Sequence, residues 1–109
     1  MGGRFRQATL GNIRELLQGE KLLVVDFWAN WCGPCHVMTQ TLRAMADKFE
    51  DRIIFAKVDI QNNRDVAQQF GVKCIPTLIL FRNGKEWDRL SGIRNRSELN
   101  KLFEKLSST

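Results

Sequence analysis

The chain has 109 residues, of which 43% are hydrophobic and 27% are charged, a balance typical of one globular domain. This composition excludes a disordered tail and a disulfide-stapled miniprotein, and the longest apolar run, residues 22–29, falls well short of the roughly 20 residues that span a bilayer. The 17 basic and 12 acidic side chains give a net charge of +5, but the arginines are scattered, so we expect a soluble surface without nucleic-acid binding.

The N-terminal residues carry no targeting signal that the sequence reveals. Residues 1–6 contain two arginines with no apolar segment behind them, so they do not resemble a secretory signal. Arg6 stands where an N-myristoylation motif needs serine or threonine. We therefore expect one domain over residues 1–109, flexible at residues 1–4, in a cytoplasmic protein.

The first half of the chain alternates between helical and strand patterns. Residues 11–18 predict a short helix that ends at Gly19. Residues 22–28 form a nearly continuous apolar run, which is typical of a strand buried on both faces. After the cysteines the spacing becomes helical, and the apolar face of this predicted helix consists of Met38, Leu42, Met45 and Phe49.

The second half continues the alternation and ends in a hairpin. Residues 53–59 predict a strand, residues 64–70 a short helix closed by Gly71, and residues 77–81 a third apolar strand. Because Asn-Gly is a strong hairpin signal, the Asn83-Gly84 pair predicts a turn.

A more polar strand should follow that turn over residues 85–90, and Ser97 should N-cap a final helix. The apolar stripe of this helix consists of Leu99, Leu102, Phe103 and Leu106. Helices between buried strands, followed by a hairpin, predict an α/β domain with a mixed sheet.

The most informative segment is Trp31-Cys32-Gly33-Pro34-Cys35, between a predicted strand and a predicted helix. A cysteine at a helix N-terminus is stabilised as thiolate by unpaired amide groups and the helix dipole, which makes Cys32 the candidate nucleophile. Cys35 lies one turn further on and can resolve the mixed disulfide. Pro34 suits the first helical turn because it lacks an N–H group.

Three other interpretations of the cysteines stay open at this point. The residues 32–36 also match the C-x-x-C-H signature of covalent haem attachment, with Met38 or Met45 as a distal ligand, although haem proteins of that type are mainly helical. A structural zinc site would have to recruit His36 and Cys74. The third possibility is a pair of inert buried thiols.

Asp26 is a carboxylate inside an apolar strand. Such a side chain is costly to bury unless it is paired or protonated, and burial raises its pKa towards neutrality. It could then accept the proton of Cys35 as a general base. Lys57, on the second strand, is a candidate partner. The alternative places Asp26 on a solvated face, with Lys57 merely an exposed strand residue.

Together these residues resemble the thioredoxin family over essentially the whole chain. Beyond the dithiol, the matching segments are residues 25–29, 57–59, 75–77, Phe81, residues 83–84 and Gly92. The resemblance implies the thioredoxin fold, with a central mixed sheet flanked by helices on both faces. It also implies a protein-disulfide reductase that carries no cofactor, receives electrons from thioredoxin reductase and passes them to oxidised protein disulfides. Nothing in the sequence suggests an assembly larger than a monomer.

The resemblance further implies a cis peptide bond at Ile75–Pro76 next to the dithiol. It assigns a substrate-facing surface to Trp31, Gly33, Pro34, Ile60, Ile75, Pro76 and Gly92.

Four positions depart from the common family pattern: His36, Gln40, Cys74 and Ser91. His36 is either an exposed first-turn residue or a group whose titration tunes the thiolate. Cys74 is either an inert side chain or a third reactive thiol. These departures keep two alternative functions open, a redox partner dedicated to one pathway and a scaffold without redox turnover.

Overall fold

The computed structural model describes residues 5–9 and 11–108, so the prediction for residues 1–4 lies outside the described residues. Five strands and four helices follow in chain order: β1 Phe5–Gln7, α1 Ile13–Leu17, β2 Leu22–Trp28, α2 Gly33–Ala46, β3 Ile53–Asp59, α3 Arg64–Gln69, β4 Thr77–Arg82, β5 Lys85–Ser91 and α4 Arg96–Ser107.

The strands form one mixed sheet in the order β1-β3-β2-β4-β5. β1 and β2 run parallel to β3, whereas β4 runs antiparallel to β2 and to β5. The predicted mixed sheet is therefore confirmed. The sequence patterns missed β1, because a strand of three residues is too short to show a period of two.

The side chains of β2 alternate between two apolar layers. Leu22 and Val24 pack with residues of α2 and α4, while Leu23 and Val25 pack with residues of α1 and α3. Because successive strand residues point to opposite faces, helices cover both faces of the sheet. This arrangement confirms the central mixed sheet with helices on both faces that the resemblance implied. It also places Asp26, the next residue in the alternation, on the α2 side.

The hairpin between β4 and β5 turns at Asn83 and Gly84. Their φ angles are +53° and +79°, so both central residues are left-handed, as the favoured hairpin turn requires. The predicted turn is therefore confirmed.

Helix α4 begins two positions earlier than a Ser97 cap would allow. Asn95 is the N-cap, and its side-chain oxygen accepts the backbone N–H of Glu98 at 2.8 Å. The prediction of Ser97 was wrong. Asparagine and serine both cap helices well, and two such residues lie two positions apart here, so composition alone does not choose between them.

We expect Asn95→Ala to lower the free energy of unfolding by about 1 kcal/mol, because the first turn of α4 loses its side-chain acceptor. Ser97→Ala is the matched control and should change stability by less than about 0.5 kcal/mol. Urea unfolding of the two variants measures both values. Equal losses, or a larger loss for Ser97→Ala, would contradict the assignment.

Candidate functional site

The dithiol lies where β2 passes into α2. Cys32 is the N-cap of α2, Pro34 lies in its first turn, and Cys35 faces the interior. A disulfide joins the two cysteines, whose Cα atoms are 5.3 Å apart. The predicted placement of Cys32 at the start of a helix is confirmed.

The two sulfurs have different surroundings. Cys32 Sγ accepts the backbone N–H of Cys35 at 3.2 Å, and Cys32 is 6% exposed whereas Cys35 is 0% exposed. A helix N-terminus and its backbone N–H groups attract negative charge, and here they face Cys32 Sγ. The more accessible sulfur is therefore also the one at the helix N-terminus.

Asp26 is fully buried, so the alternative of a solvated carboxylate was wrong. Burial raises the pKa of Asp26 to about 6, although a hydrogen bond from Thr39 and the charge of Lys57 both act to lower it. Thr39 Oγ1 donates to Asp26 Oδ2 at 2.8 Å, while Oδ1 has no hydrogen-bond partner. One carboxyl oxygen is therefore free to take up a proton near neutral pH.

Lys57 lies opposite Asp26 on the neighbouring strand β3 and is half-buried. Its pKa is lowered, first by burial and then by the charge of Arg43, while Asp26 acts to raise it. Thr39 and Lys57 both line a cavity of about 350 Å³ beside α2. The buried carboxyl group of Asp26 is therefore one hydrogen bond away from this cavity.

Several residues of the predicted substrate-facing surface lie around the dithiol. Ile60 and Ile75 pack against the buried cluster that contains both cysteines. Trp31 is 67% exposed.

The other members of the predicted surface belong to the dithiol loop and to the end of the sheet. Gly33 and Pro34 are exposed. The Ile75–Pro76 bond is cis, as the resemblance implied, and Gly92 N–H donates to Pro76 O at 2.8 Å. The structure thus brings together residues from four separate segments of the chain.

The sequence analysis missed two residues of the site, Thr39 and Trp28. Thr39 lies four residues after Cys35, so helical spacing places it on the same face of α2. Trp28 packs against the cysteine cluster, and the centroid of its indole ring lies 5.3 Å from Lys57 Nζ. The spacing from Cys35 was the available signal for Thr39.

Two of the residues that depart from the family pattern, His36 and Gln40, line the same cavity as Thr39 and Lys57. His36 is exposed, and its Nε2 donates to Asn30 O at 2.8 Å. Cys74 is an exposed free thiol. Within residues 5–9 and 11–108, no three histidine, cysteine or acidic side chains are grouped so that they could hold a metal ion, which leaves the zinc interpretation without a ligand set.

A five-stranded sheet also disfavours the haem interpretation, which requires a mainly helical protein. None of the helices that the structure describes is long and apolar enough to cross a membrane.

Comparison with known proteins agrees with this geometry. The family model for thioredoxin matches residues 7–105. A thioredoxin of Alicyclobacillus acidocaldarius is 40% identical over 91 residues, which cover 84% of this chain and 87% of the relative. Thioredoxin H2 of Arabidopsis thaliana is 44% identical over 95 residues, which cover 87% of this chain and 70% of the relative.

Among solved structures, the thioredoxin of Malassezia sympodialis superposes with a TM-score of 0.86 at 30% identity. The match covers 94% of this chain and 90% of that structure.

Proposed function

Because the chain belongs to the thioredoxin family and is therefore a thiol–disulfide oxidoreductase, we propose that Cys32 is its nucleophile and Cys35 its resolving thiol. The observation that carries this assignment is the position of Cys32 as the N-cap of α2, where its sulfur accepts the N–H of Cys35. The complete burial of Cys35 supports the second role, since a sulfur without exposure reaches only an intermediate already attached to the protein.

The first step is the attack of the Cys32 thiolate on one sulfur of a substrate disulfide. A bond forms between Cys32 and that sulfur, the substrate S–S bond breaks, and the other substrate sulfur leaves as a thiolate. The product is a mixed disulfide between Cys32 and the substrate.

In the second step Cys35 loses its proton and attacks Cys32 Sγ. The Cys32–Cys35 disulfide forms, the mixed disulfide breaks, and the second substrate sulfur leaves. The substrate gains two electrons and the protein dithiol loses two. The described structure, with its Cys32–Cys35 disulfide, corresponds to the product of this step.

Asp26 is the proposed acceptor of the Cys35 proton. A general base works best when its pKa lies near the working pH, and burial gives Asp26 a pKa of about 6. Its unpartnered Oδ1 supports this role. Thr39 and Lys57 line the adjacent cavity, through which water can carry the proton to solvent, so Lys57 has a supporting role.

The proposed substrate-facing surface consists of Trp31, Gly33, Pro34, Ile60, Ile75, Pro76 and Gly92. Its exposed indole and half-buried isoleucines offer apolar contact beside the disulfide. Such contact suits a peptide segment around an oxidised cysteine, where many sequences must be accepted.

The family implies protein disulfides as substrates and a reductase as electron donor. We assign these roles more closely to oxidised protein disulfides and a thioredoxin reductase, with the protein acting as a cytoplasmic monomer that binds neither nucleic acid nor membrane. A reducing compartment suits this cycle because the dithiol must be regenerated after each turnover.

Competitive alkylation tests the assignment of the nucleophile. We expect limiting iodoacetamide at pH 6 to label Cys32 at least about tenfold faster than Cys35, because the thiolate is the reactive form. The reduced protein should carry Cys74→Ser so that only two thiols compete, and peptide mapping reads the label. Equal labelling, or faster labelling of Cys35, would contradict the proposed roles.

A further inference from the structure

The segment between α3 and β4, residues 70–76, carries the Ile75–Pro76 bond to the dithiol. At its start the chain leaves α3 through Gly71, whose φ of +64° is left-handed. The N–H of Gly71 donates to Gln68 O at 3.1 Å and that of Val72 to Ala67 O at 2.9 Å. These two bonds form a Schellman motif, which fixes the direction in which the segment departs.

The middle of this segment is only partly buried. Lys73 and Cys74 are exposed, while Val72 and Ile75 are half-buried and pack against the apolar cluster on the α1 and α3 side of the sheet. Thr77 Oγ1 donates to Cys74 O at 2.7 Å. A partly buried segment opens at lower free energy than the core strands, so the position of residues 72–75 also depends on how the two ends are held.

Strand β5 and the residue that directly follows it hold both ends. At the far end, Gly92 N–H donates to Pro76 O at 2.8 Å. At the near end, Arg89 Nη2 donates to Phe70 O at 2.6 Å and Arg89 Nη1 donates to Gly71 O at 3.2 Å. One guanidinium group therefore ties β5 to the two carbonyl groups at the end of α3.

Glu86 keeps Arg89 in this orientation. Arg89 Nε donates to Glu86 Oε2 at 2.9 Å, and Arg89 Nη2 donates to Glu86 Oε1 at 2.7 Å. Two parallel bonds to a carboxylate restrict a guanidinium group more than a single contact would. A flexible arginine side chain thus becomes a rigid connection between β5 and α3.

We infer that Arg89, oriented by Glu86, is a positioning residue that holds the segment carrying Ile75 and Pro76 in place for the disulfide substrate. This role rests on the proposed function, since it requires residues 75–76 to contact the substrate. Arg89 is not among the residues that pack around the two cysteines: it acts on the segment that meets the polypeptide around the disulfide and leaves the chemistry of Cys32 unchanged.

Single-turnover kinetics separates positioning from chemistry. The reduced protein is mixed with increasing insulin, and tryptophan fluorescence gives a maximal rate and a half-saturating concentration. For Arg89→Met, which keeps an unbranched apolar stem but removes the guanidinium donors, we expect the half-saturating concentration to rise about three- to tenfold, since two hydrogen bonds from a charged group are lost. The maximal rate should stay within about twofold.

Three further measurements sharpen the test. Glu86→Gln should raise the half-saturating concentration by a smaller factor than Arg89→Met does. The matched control is Arg96→Met, at an exposed position of α4, which should leave the half-saturating concentration unchanged. Reaction with a small aromatic disulfide should be unchanged in all variants, because no polypeptide is bound. Hydrogen exchange of the Gly71 and Val72 amides should accelerate in Arg89→Met while that of β2 does not.

An unchanged half-saturating concentration in Arg89→Met would overturn the inference. So would a parallel loss of reactivity towards the small disulfide, which would indicate general damage. The proposed function fails separately: in that case the unmodified protein would not react with insulin at all.

Discussion

Replacing Cys35 with serine is expected to leave the protein covalently attached to its substrate. Cys32 can still attack a disulfide, but no thiol one helical turn away can displace the substrate from it. An intramolecular thiol normally outcompetes those in solution by a large effective concentration. Its loss should turn a short-lived intermediate into the main product.

The measurement uses reduced Cys35→Ser protein mixed with oxidised insulin in the absence of other thiols. A non-reducing gel should show a band at the sum of the protein and insulin, which disappears on addition of dithiothreitol. Both the variant and its control should carry Cys74→Ser, so that the exposed third thiol forms no adduct of its own. The control, Cys32→Ser, should form none. An adduct that forms with Cys32→Ser and not with Cys35→Ser would reverse the two assignments.

The second large effect concerns Asp26 and the dependence of stability on pH. The pKa of Asp26 is about 6 in the folded protein against an ordinary value of 3.8. Between these values the folded state binds more protons than the unfolded state, so the contribution of this group to stability falls as pH rises. Well above pH 6, Asp26 is ionised in both the folded and the unfolded state, and the cost of burying its charge reaches its full value. The pKa shift of about 2 units corresponds to a loss of about 3 kcal/mol in the free energy of unfolding.

Asp26→Asn removes this penalty because an amide does not ionise. We expect the variant to be more stable than the unmodified protein at pH 8, by about 1–3 kcal/mol after allowance for an unpaired amide. The stability difference between the two proteins should grow by about 2 kcal/mol between pH 4.5 and pH 8. This second quantity is the sharper one, because the packing of the amide is the same at both pH values.

Urea unfolding of the oxidised proteins at the two pH values measures the effect, with Asp51→Asn, at an exposed turn position, as the matched control. A stability difference for Asp26→Asn that does not change with pH would contradict a raised pKa.

The parts of the fold that could be predicted from the sequence are those with local signals. The apolar run of β2 and the Asn83-Gly84 turn can each be recognised from a few consecutive residues, and both predictions were confirmed. The dithiol is equally local, because a spacing of three residues places both sulfurs on one helical turn. Asp26 stood out since a charge interrupts an apolar strand.

The contacts that could not be predicted join residues far apart in the chain. Thr39 meets Asp26 across 13 residues, and Arg89 meets Phe70 across 19 residues. The spacing from Cys35 indicates which face of α2 carries Thr39, but it does not indicate which strand residue lies opposite that face. An arginine in a strand has an ordinary surface role in most proteins, so no local pattern marks Arg89. Strand β1 also depends on a contact between residues far apart in the chain, because its three residues become a strand only through pairing with β3.

Reduction of insulin disulfides by dithiothreitol, with and without this protein, measures the proposed reductase activity itself. We expect the intact protein to accelerate the reaction and Cys32→Ser to return it to the rate of dithiothreitol alone, because the proposed exchange begins at that sulfur. No acceleration by the intact protein would contradict a general protein-disulfide reductase, and would favour a redox partner dedicated to one pathway or a scaffold without redox turnover.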